Sequence, residues 1–400
     1  MSRLRGLLPS GFRRGPHTAT SDGIVVLDDR FPDLMTGFRV AEFSWLLRQG
    51  VVREVMSTHP QLDEHLPAFV ERYPDLEGRV TPYRPERLPE FELAYLVFLD
   101  NAAGFLADLE HASLDFVVEL YPGGGLRLGT EATDAVLTRV VASPLLRHIV
   151  TTQPRVTEYL TTITAELPPV VEILGVVVNE SYFTDGEGSD EGRPYFGYGK
   201  TQLDVLFAAH RYDERGVNKG YPVFVEACSR LAEAGVPIRA HVVGGHVADD
   251  IPLGDVSDRF RFHGPLVTEE FQRLARGMDL VLSPNRPFVV RPGVWDGFPT
   301  GSCVEAALCG AGVVCSDELV QNRVFTDGED IVIVSPDPVL VTDRVLELLQ
   351  RPDGVRGLAA RGQQAFRRAY APDAQLVPRR EALVASLAAV RTTSTSAVST

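Results

Sequence analysis

Short β-rich apolar runs alternate with helical patterns along most of this 400-residue chain. That alternation restricts the fold more than any other feature. Strand, crossover helix and strand make a parallel unit, and a parallel sheet needs helices on both faces. Ile24 to Leu27 reads as a strand, and Phe38 to Leu47 as a helix with Gly50 just beyond it. Asp115 to Leu120, His148 to Thr152 and Val170 to Val178 read as further strands. Residues 184 to 194 are polar, acidic and glycine-rich, which predicts an exposed loop near a domain junction.

Beyond that loop the alternation restarts. Leu203 to Ala208 is an expected strand, Tyr221 to Ala234 a helix closed by Gly235, and Ile238 to Val243 a strand ending in Gly244-Gly245. Arg259 to His263, Leu280 to Leu282, Val313 to Cys315 and Ile331 to Val334 complete the strands, and a helix starts at Thr268. After Asp337 the pattern is largely helical to about Val390. The expected fold class is α/β, with two Rossmann-like doubly wound domains facing across a cleft, residues 21–195 and 196–370. Residues 1–20 and the Ser/Thr-rich 391–400 read as disordered tails.

Charge and composition narrow the function. A net charge of -15 argues against a nucleic-acid partner, which a basic face would normally accompany. No apolar run approaches the roughly 18 residues that a membrane span requires, and a cytoplasmic location is expected. The four cysteines, Cys228, Cys303, Cys309 and Cys315, sit among small apolar residues without a Cys-x-x-Cys pair. They read as buried thiols rather than metal ligands. Lys200 and Lys219 are the only lysines, which slightly favours a specific task for each.

The stretch from Gly293 to Gly312 carries the most chemistry. A loop rich in Gly and Pro runs into a short amphipathic helix that Gly310 ends. Ser302 can cap the helix start, and Gly301 lets a ligand approach the backbone. The free amides of such a helix, with the positive end of its dipole, make an anion site. Glu305 lies one turn in, placed to meet a polar group attached to the anion. A diphosphate followed by a ribose has that form. Upstream, Arg211 follows a predicted strand and Lys219-Gly220 opens the next helix. Together they could clamp a diphosphate; alone they could equally be two surface cations.

The order of these pieces resembles the donor-binding domain of retaining glycosyltransferases of the GT-B fold (glycosyl transferases group 1, family 4-like). Arg211 with Lys219-Gly220, the strand ending Val-Gly-Gly, Phe262-His263-Gly264-Pro265, Asp279 to Pro284, Asp296-Gly-Phe-Pro, Glu305-Ala306 and Gly312-Val-Val follow in the family's order over about residues 200 to 370. The resemblance implies that Arg211 and Lys219 hold the donor diphosphate and that backbone around Gly245, Pro299, Thr300, Gly301, Ser302 and Cys303 adds to the donor site. It implies that Glu305 accepts from the ribose hydroxyls and that Asp296 contacts the transferred sugar. The family pattern has Glu where this chain has Asp296, and seven residues before the second Glu; here eight intervene, so Thr300 or Gly301 reads as an insertion. No metal or other cofactor is implied, because fixed cations and a helix end serve the diphosphate.

The amino-terminal half resembles the family only loosely, as an acceptor-side domain. Gly37, after the first strand, stands where the family often approaches the sugar diphosphate; an ordinary helix start is the alternative. Tyr121, Gly123 and Gly124 occupy a strand-end loop where the family often has a histidine near the sugar, and Glu119 or Tyr121 could substitute for it. His111 and His148 read as surface or core histidines, and Asp28-Asp29 as capping or solvated acids. Residues 371–390 are expected to cross back to the first domain, as in relatives. The implied activity is sugar transfer, with retention, from a UDP- or GDP-linked donor to a hydroxyl of a glycan, lipid-linked or small-molecule acceptor. The lipid-linked case would bring peripheral membrane contact. A nucleotide-sugar epimerase and a catalytically silent nucleotide- or glycan-binding homologue are the alternatives.

Overall fold

A computed structural model describes residues 23–184 and 192–398. The tail expected over 1–20, most of the acidic loop at 184–194 and the last two residues lie outside the described residues. The first sheet contains β1 (Ile24–Asp28), β2 (Glu54–Ser57), β3 (Val80–Pro82), β4 (Leu93–Val97), β5 (Asp115–Leu120), β6 (Leu146–Thr151) and β7 (Val170–Glu172), all parallel, in the order 3-2-1-4-5-6-7. Its crossovers include α1 (Gly37–Arg48), α2 (Leu62–Arg72), α3 (Leu99–Ala112), α4 (Glu131–Val141) and α5 (Pro154–Ile163). A short α6 (Ser181–Thr184) follows the sheet, and the two-residue strands β8 (Tyr195–Phe196) and β9 (Gly199–Lys200) form a ribbon before the second sheet.

The second sheet contains β10 (Leu203–Ala208), β11 (Ile238–Val243), β12 (Phe260–Gly264), β13 (Leu280–Ser283), β14 (Gly312–Cys315) and β15 (Val332–Ile333), in the order 12-11-10-13-14-15. It too is parallel throughout. Helices α7 (Tyr221–Glu233), α8 (Thr268–Ala275), α9 (Gly301–Leu308), α10 (Pro338–Gln350) and α11 (Gly354–Tyr370) cover it. Two apolar clusters occupy the two faces of each sheet. This double coverage explains why β1 and β10 are buried at every position instead of alternating.

Helix α12 (Pro372–Val398) ends the described chain on the first domain, where Leu383, Leu387 and Val390 join the core under β1, β4 and α1. Arg379 is fully buried there. Its Nε donates to Glu119 Oε1 at 2.9 Å and its Nη2 to the Tyr121 hydroxyl at 3.1 Å. The Tyr95 hydroxyl lies 2.5 Å from both Glu119 Oε2 and Glu42 Oε1. Burial and the neighbouring Glu119 charge hold the Glu42 carboxyl well above the usual carboxylate range. Glu42 is therefore the protonated partner and donates to Tyr95, which donates to Glu119. This leaves one carboxylate opposite one guanidinium. The helix continues past residue 391, where the Ser/Thr-rich composition predicts an irregular tail. Thr392 and Thr393 turn their hydroxyls back to the Ala388 and Ala389 carbonyls instead.

The domains also touch beside the cleft. Trp295, between β13 and α9, is buried in the apolar cluster of the first domain, with Leu126, Leu137 and Leu160. The Leu128 amide donates to the Gly293 carbonyl at 2.9 Å, and the Phe298 amide donates to Gln153 Oε1 at 3.2 Å. No helix among the described residues is long and apolar enough to cross a membrane.

The buried cluster generates a direct contrast. Arg379→Met should destabilise the protein by about 3–5 kcal/mol, because Glu119 is left charged, buried and unpaired. Glu42→Gln preserves the neutral state already present and should cost within about 1 kcal/mol. Urea unfolding measures both, and equal losses would contradict the proton assignment.

Candidate active site

In both sheets the strand order reverses beside the first strand, between β1 and β4 and between β10 and β13. Such a reversal opens a crevice at the carboxyl ends of the strands. The principal cleft pocket lies there. Leu34, Met35, Gly37 and Phe38 line it from the first domain; Ala208 to His210, Lys219, Gly244, Ser283, Asn285, Thr300 to Ser302 and Glu305 line it from the second. Val176 to Val178 line it at the crossing between domains.

The anion end is built by α9. Thr300, not Ser302, is the residue before the helix, and neither side chain caps it. The first intrahelical amide is that of Val304, bonded to the Thr300 carbonyl at 3.1 Å. The Gly301, Ser302 and Cys303 amides precede that bond and have no side-chain cap, which leaves an anion site with the helix dipole behind it. The hydroxyls of Ser283, Thr300 and Ser302 form a chain at 3.3 and 3.2 Å instead of capping. Cys303 contributes backbone only, since its side chain is fully buried beside Cys315. Gly37 opens α1 with free space where a side chain would stand, so the start of a second helix faces the same cleft.

Lys219 stands at the pocket wall and pairs with Asp296, whose other oxygen accepts from Asn285 Nδ2 at 2.8 Å. The Lys219 ammonium also lies 5.2 Å from the Tyr212 ring centroid. The eight-residue spacing to Glu305 is accommodated by the turn through Phe298 and Pro299; Asp296 and Pro299 border a smaller recess beside the main pocket. Glu305 reaches the pocket from one turn inside α9. Burial pushes its carboxyl up to about 7, and the nearby Tyr182 hydroxyl pulls the other way.

Several expected residues stand elsewhere. Arg211 turns from the pocket and pairs with Asp250 at 2.8 Å, so it does not join Lys219 in a clamp. His210, one residue earlier, is the one that lines the cleft. Of the glycine pair, Gly244 lines it rather than Gly245. Gly244 has φ +115, and a Cβ there would collide with the Ala209 carbonyl. Tyr121 and Glu119 are core residues of the Arg379 cluster and do not replace a cleft histidine. Gly123 and Gly124 do not line the pocket. Gly124 is tight because a Cβ would meet the Phe98 ring, whereas Gly123 faces open space. Asp28 is a loop cap, accepting from the Arg30 and Phe31 amides at 2.8 and 2.7 Å.

His210, Asn285, Thr268 and Gln153 are absent from the sequence-derived set. Strand-end position could have found the first three, because His210 follows β10, Asn285 follows β13 and Thr268 follows the turn after β12. Nothing in the sequence marks Gln153. Among the described residues, Asp33, His59 and His65 bring three potential metal-ligand atoms within 4.8 Å of one another. The Gln61 amide donates to His59 Nδ1 at 3.0 Å. That contact puts the ring proton on Nε2 and removes the lone pair a metal would need there.

Residues 203–351 match the family model of glycosyl transferases group 1. Anabaena HepE in complex with UDP is similar over 92% of this chain and 99% of its own, with a TM-score of 0.61 at 15% identity. A glycosyltransferase from Rickettsia africae has a TM-score of 0.66 at 12% identity, covering 91% of this chain and 98% of that one. Sucrose-phosphate synthase from Thermosynechococcus elongatus has a TM-score of 0.58 at 14% identity, covering 94% and 99%. No curated protein matches the chain in sequence. The chain has the GT-B fold. The match to the group 1 family model falls on its second domain.

Anion binding separates the two cations. Lys219→Ala should weaken pyrophosphate binding by about 1.5–3 kcal/mol, the range for a hydrogen bond to a charged group. Arg211→Ala should leave it nearly unchanged. Calorimetric titration of both variants is the measurement, and equal losses would return Arg211 to the clamp.

Proposed function

We propose that this protein transfers a sugar from a nucleotide-sugar donor to an acceptor hydroxyl, with retention of anomeric configuration. The observation that carries the reading is the uncapped start of α9, which meets Lys219 and Glu305 in one pocket at the β10–β13 reversal. The donor diphosphate would lie against the α9 amides and Lys219, and the ribose would meet Glu305. HepE in complex with UDP and with UDP-glucose supports a uridine nucleotide as the first donor to test.

Retention follows from attack on the face that the diphosphate leaves. As the bond from the anomeric carbon to phosphate oxygen breaks, the acceptor oxygen bonds to that carbon and its proton passes to the departing oxygen. The chain then needs no nucleophile of its own. Lys219 and the helix end stabilise the charge that develops on the leaving group. Asp296, paired with Lys219, would meet the transferred sugar. It holds the ammonium in place, and an incoming diphosphate must compete with it.

The Arg211–Asp250 pair favours one second reading, a protein that binds nucleotide without transfer, since it withholds one expected cation from the leaving group. Thermal-shift measurements with UDP, GDP, ADP and their glucose conjugates detect binding. Release of nucleoside diphosphate only when an acceptor is added distinguishes transfer from silent binding, and glycosyl-product stereochemistry tests retention. Asp296→Asn should lower transfer about tenfold or more, roughly 1.4 kcal/mol of barrier or above. It should not weaken nucleoside diphosphate binding, because it frees Lys219. Parallel loss of both would remove the assigned role. Turnover should persist in EDTA; strict dependence on magnesium or manganese would overturn the metal-free route.

A further inference from the structure

Tyr182 stands where the domains meet, on the short helix α6. The side chain is 4% exposed, and among the described residues its hydroxyl has no formed hydrogen bond. That hydroxyl faces the Glu305 carboxyl. Helix α6 is pinned to the donor domain by Gln272 Nε2, which donates to Ser181 Oγ at 2.8 Å. A buried hydroxyl without a partner is costly unless another state of the protein satisfies it. The Glu305 carboxyl that it faces lines the cleft pocket.

We propose that Tyr182 is a positioning residue of the donor site, whose hydroxyl holds Glu305 as an ionised acceptor for the two ribose hydroxyls. The inference rests on the donor reading given above. Glu305 has two oxygens, and a ribose diol needs both as acceptors or one accepting twice. A neutral carboxyl would spend one oxygen as a donor and present the wrong hydrogen to the sugar. Tyr182 does not line the pocket, so its hydroxyl would supply a third donor from outside it, and α6 packs against α9 at the domain junction. The short helix thereby adds to a pocket that both domains line.

The surroundings set the pH range. Burial pushes Glu305 to about 7, and Tyr182 is the group that lowers it. Around this pair, Arg276 follows α8 and offsets the acidity of the Tyr182 environment, while burial and Glu305 raise the Cys309 thiol on α9. On the pocket wall, burial and Lys219 lower His210. Donor binding that needs ionised Glu305 strengthens as pH rises through about 7. Removing the Tyr182 hydroxyl leaves the desolvation unopposed, so the midpoint must move to higher pH.

The experiment is calorimetric titration of the intact protein with UDP-glucose, and with GDP-mannose and ADP-glucose in parallel, from pH 6 to 9. The phosphodiester groups of these donors do not titrate in this range. Wild-type affinity should rise by up to about tenfold per pH unit below the midpoint and level off above it. Tyr182→Phe, which fills the same space, should bind several-fold more weakly at pH 7 and approach wild type by pH 9. Glu305→Gln should be weaker with a flat profile. A Tyr182→Phe profile superimposed on wild type overturns the inference while leaving the donor site intact. A uniform loss at every pH makes Tyr182 a packing residue only and also overturns it. Failure of wild type to bind any of the three donors overturns the donor reading and this inference with it.

Discussion

The buried Arg379–Glu119 pair holds the architecture together. Arg379 lies near the end of the chain and Glu119 lies on a central strand of the first sheet, so their contact closes the molecule over 260 residues. A fully buried guanidinium is tolerated only with a carboxylate and further acceptors around it. Glu119, Tyr121 and the Gln375 carbonyl supply them. Protonated Glu42 and Tyr95 complete the arrangement without adding a second negative charge. Because α12 covers the first sheet, the amino-terminal domain cannot complete its core until the carboxy-terminal domain has been made.

With both sheets held in this way, their strand ends face one another, and the cleft gathers backbone amides more than side-chain charge. The chain carries a net charge of -15, yet the cleft pocket is lined by apolar and uncharged polar residues and two helix starts, with Lys219, His210 and Glu305 as its titratable side chains. The pocket thus carries little net side-chain charge. Lys219 is neutralised by Asp296, and the α9 amides face the cavity. Adding a diphosphate is the change that such a site accommodates best.

Much of this was legible from residue patterns, and the failures have physical causes. Strands β1, β5, β10 and β11 are short segments dominated by β-branched and other apolar residues, interrupted only by Asp28, Asp115, Glu119, Asp204, Arg239 and His241, and their class follows from that bias. Strands β2 and β3 are short, and β3 contains Pro82, so neither offers a period to read. The pocket position of Lys219, Gly301 and Glu305 was legible because strand ends and helix starts constrain where they can point. The direction of Arg211 was not legible, because a long side chain at a strand end has two directions available and Asp250 determines which is taken here. The core position of Tyr121 and Glu119 was hidden for the opposite reason: their partner, Arg379, is too distant in sequence for any local pattern to reveal it. Gly244 and Gly245 are indistinguishable as letters and separate only through their backbone angles.

Trp295 gives the loop before α9 a divided allegiance. By chain connection, Asp296 belongs to the nucleotide-side domain. By packing, its neighbour Trp295 belongs to the other, where it lies 4% exposed among leucines. Extracting that indole into water would cost on the order of 3 kcal/mol, and the Leu128–Gly293 and Gln153–Phe298 hydrogen bonds would be lost with it. Any separation of the halves therefore leaves this loop behind with the first domain and bends the chain inside the second. The seam along which the protein yields then runs between Asp296 and Lys219, through the middle of the machinery rather than around it.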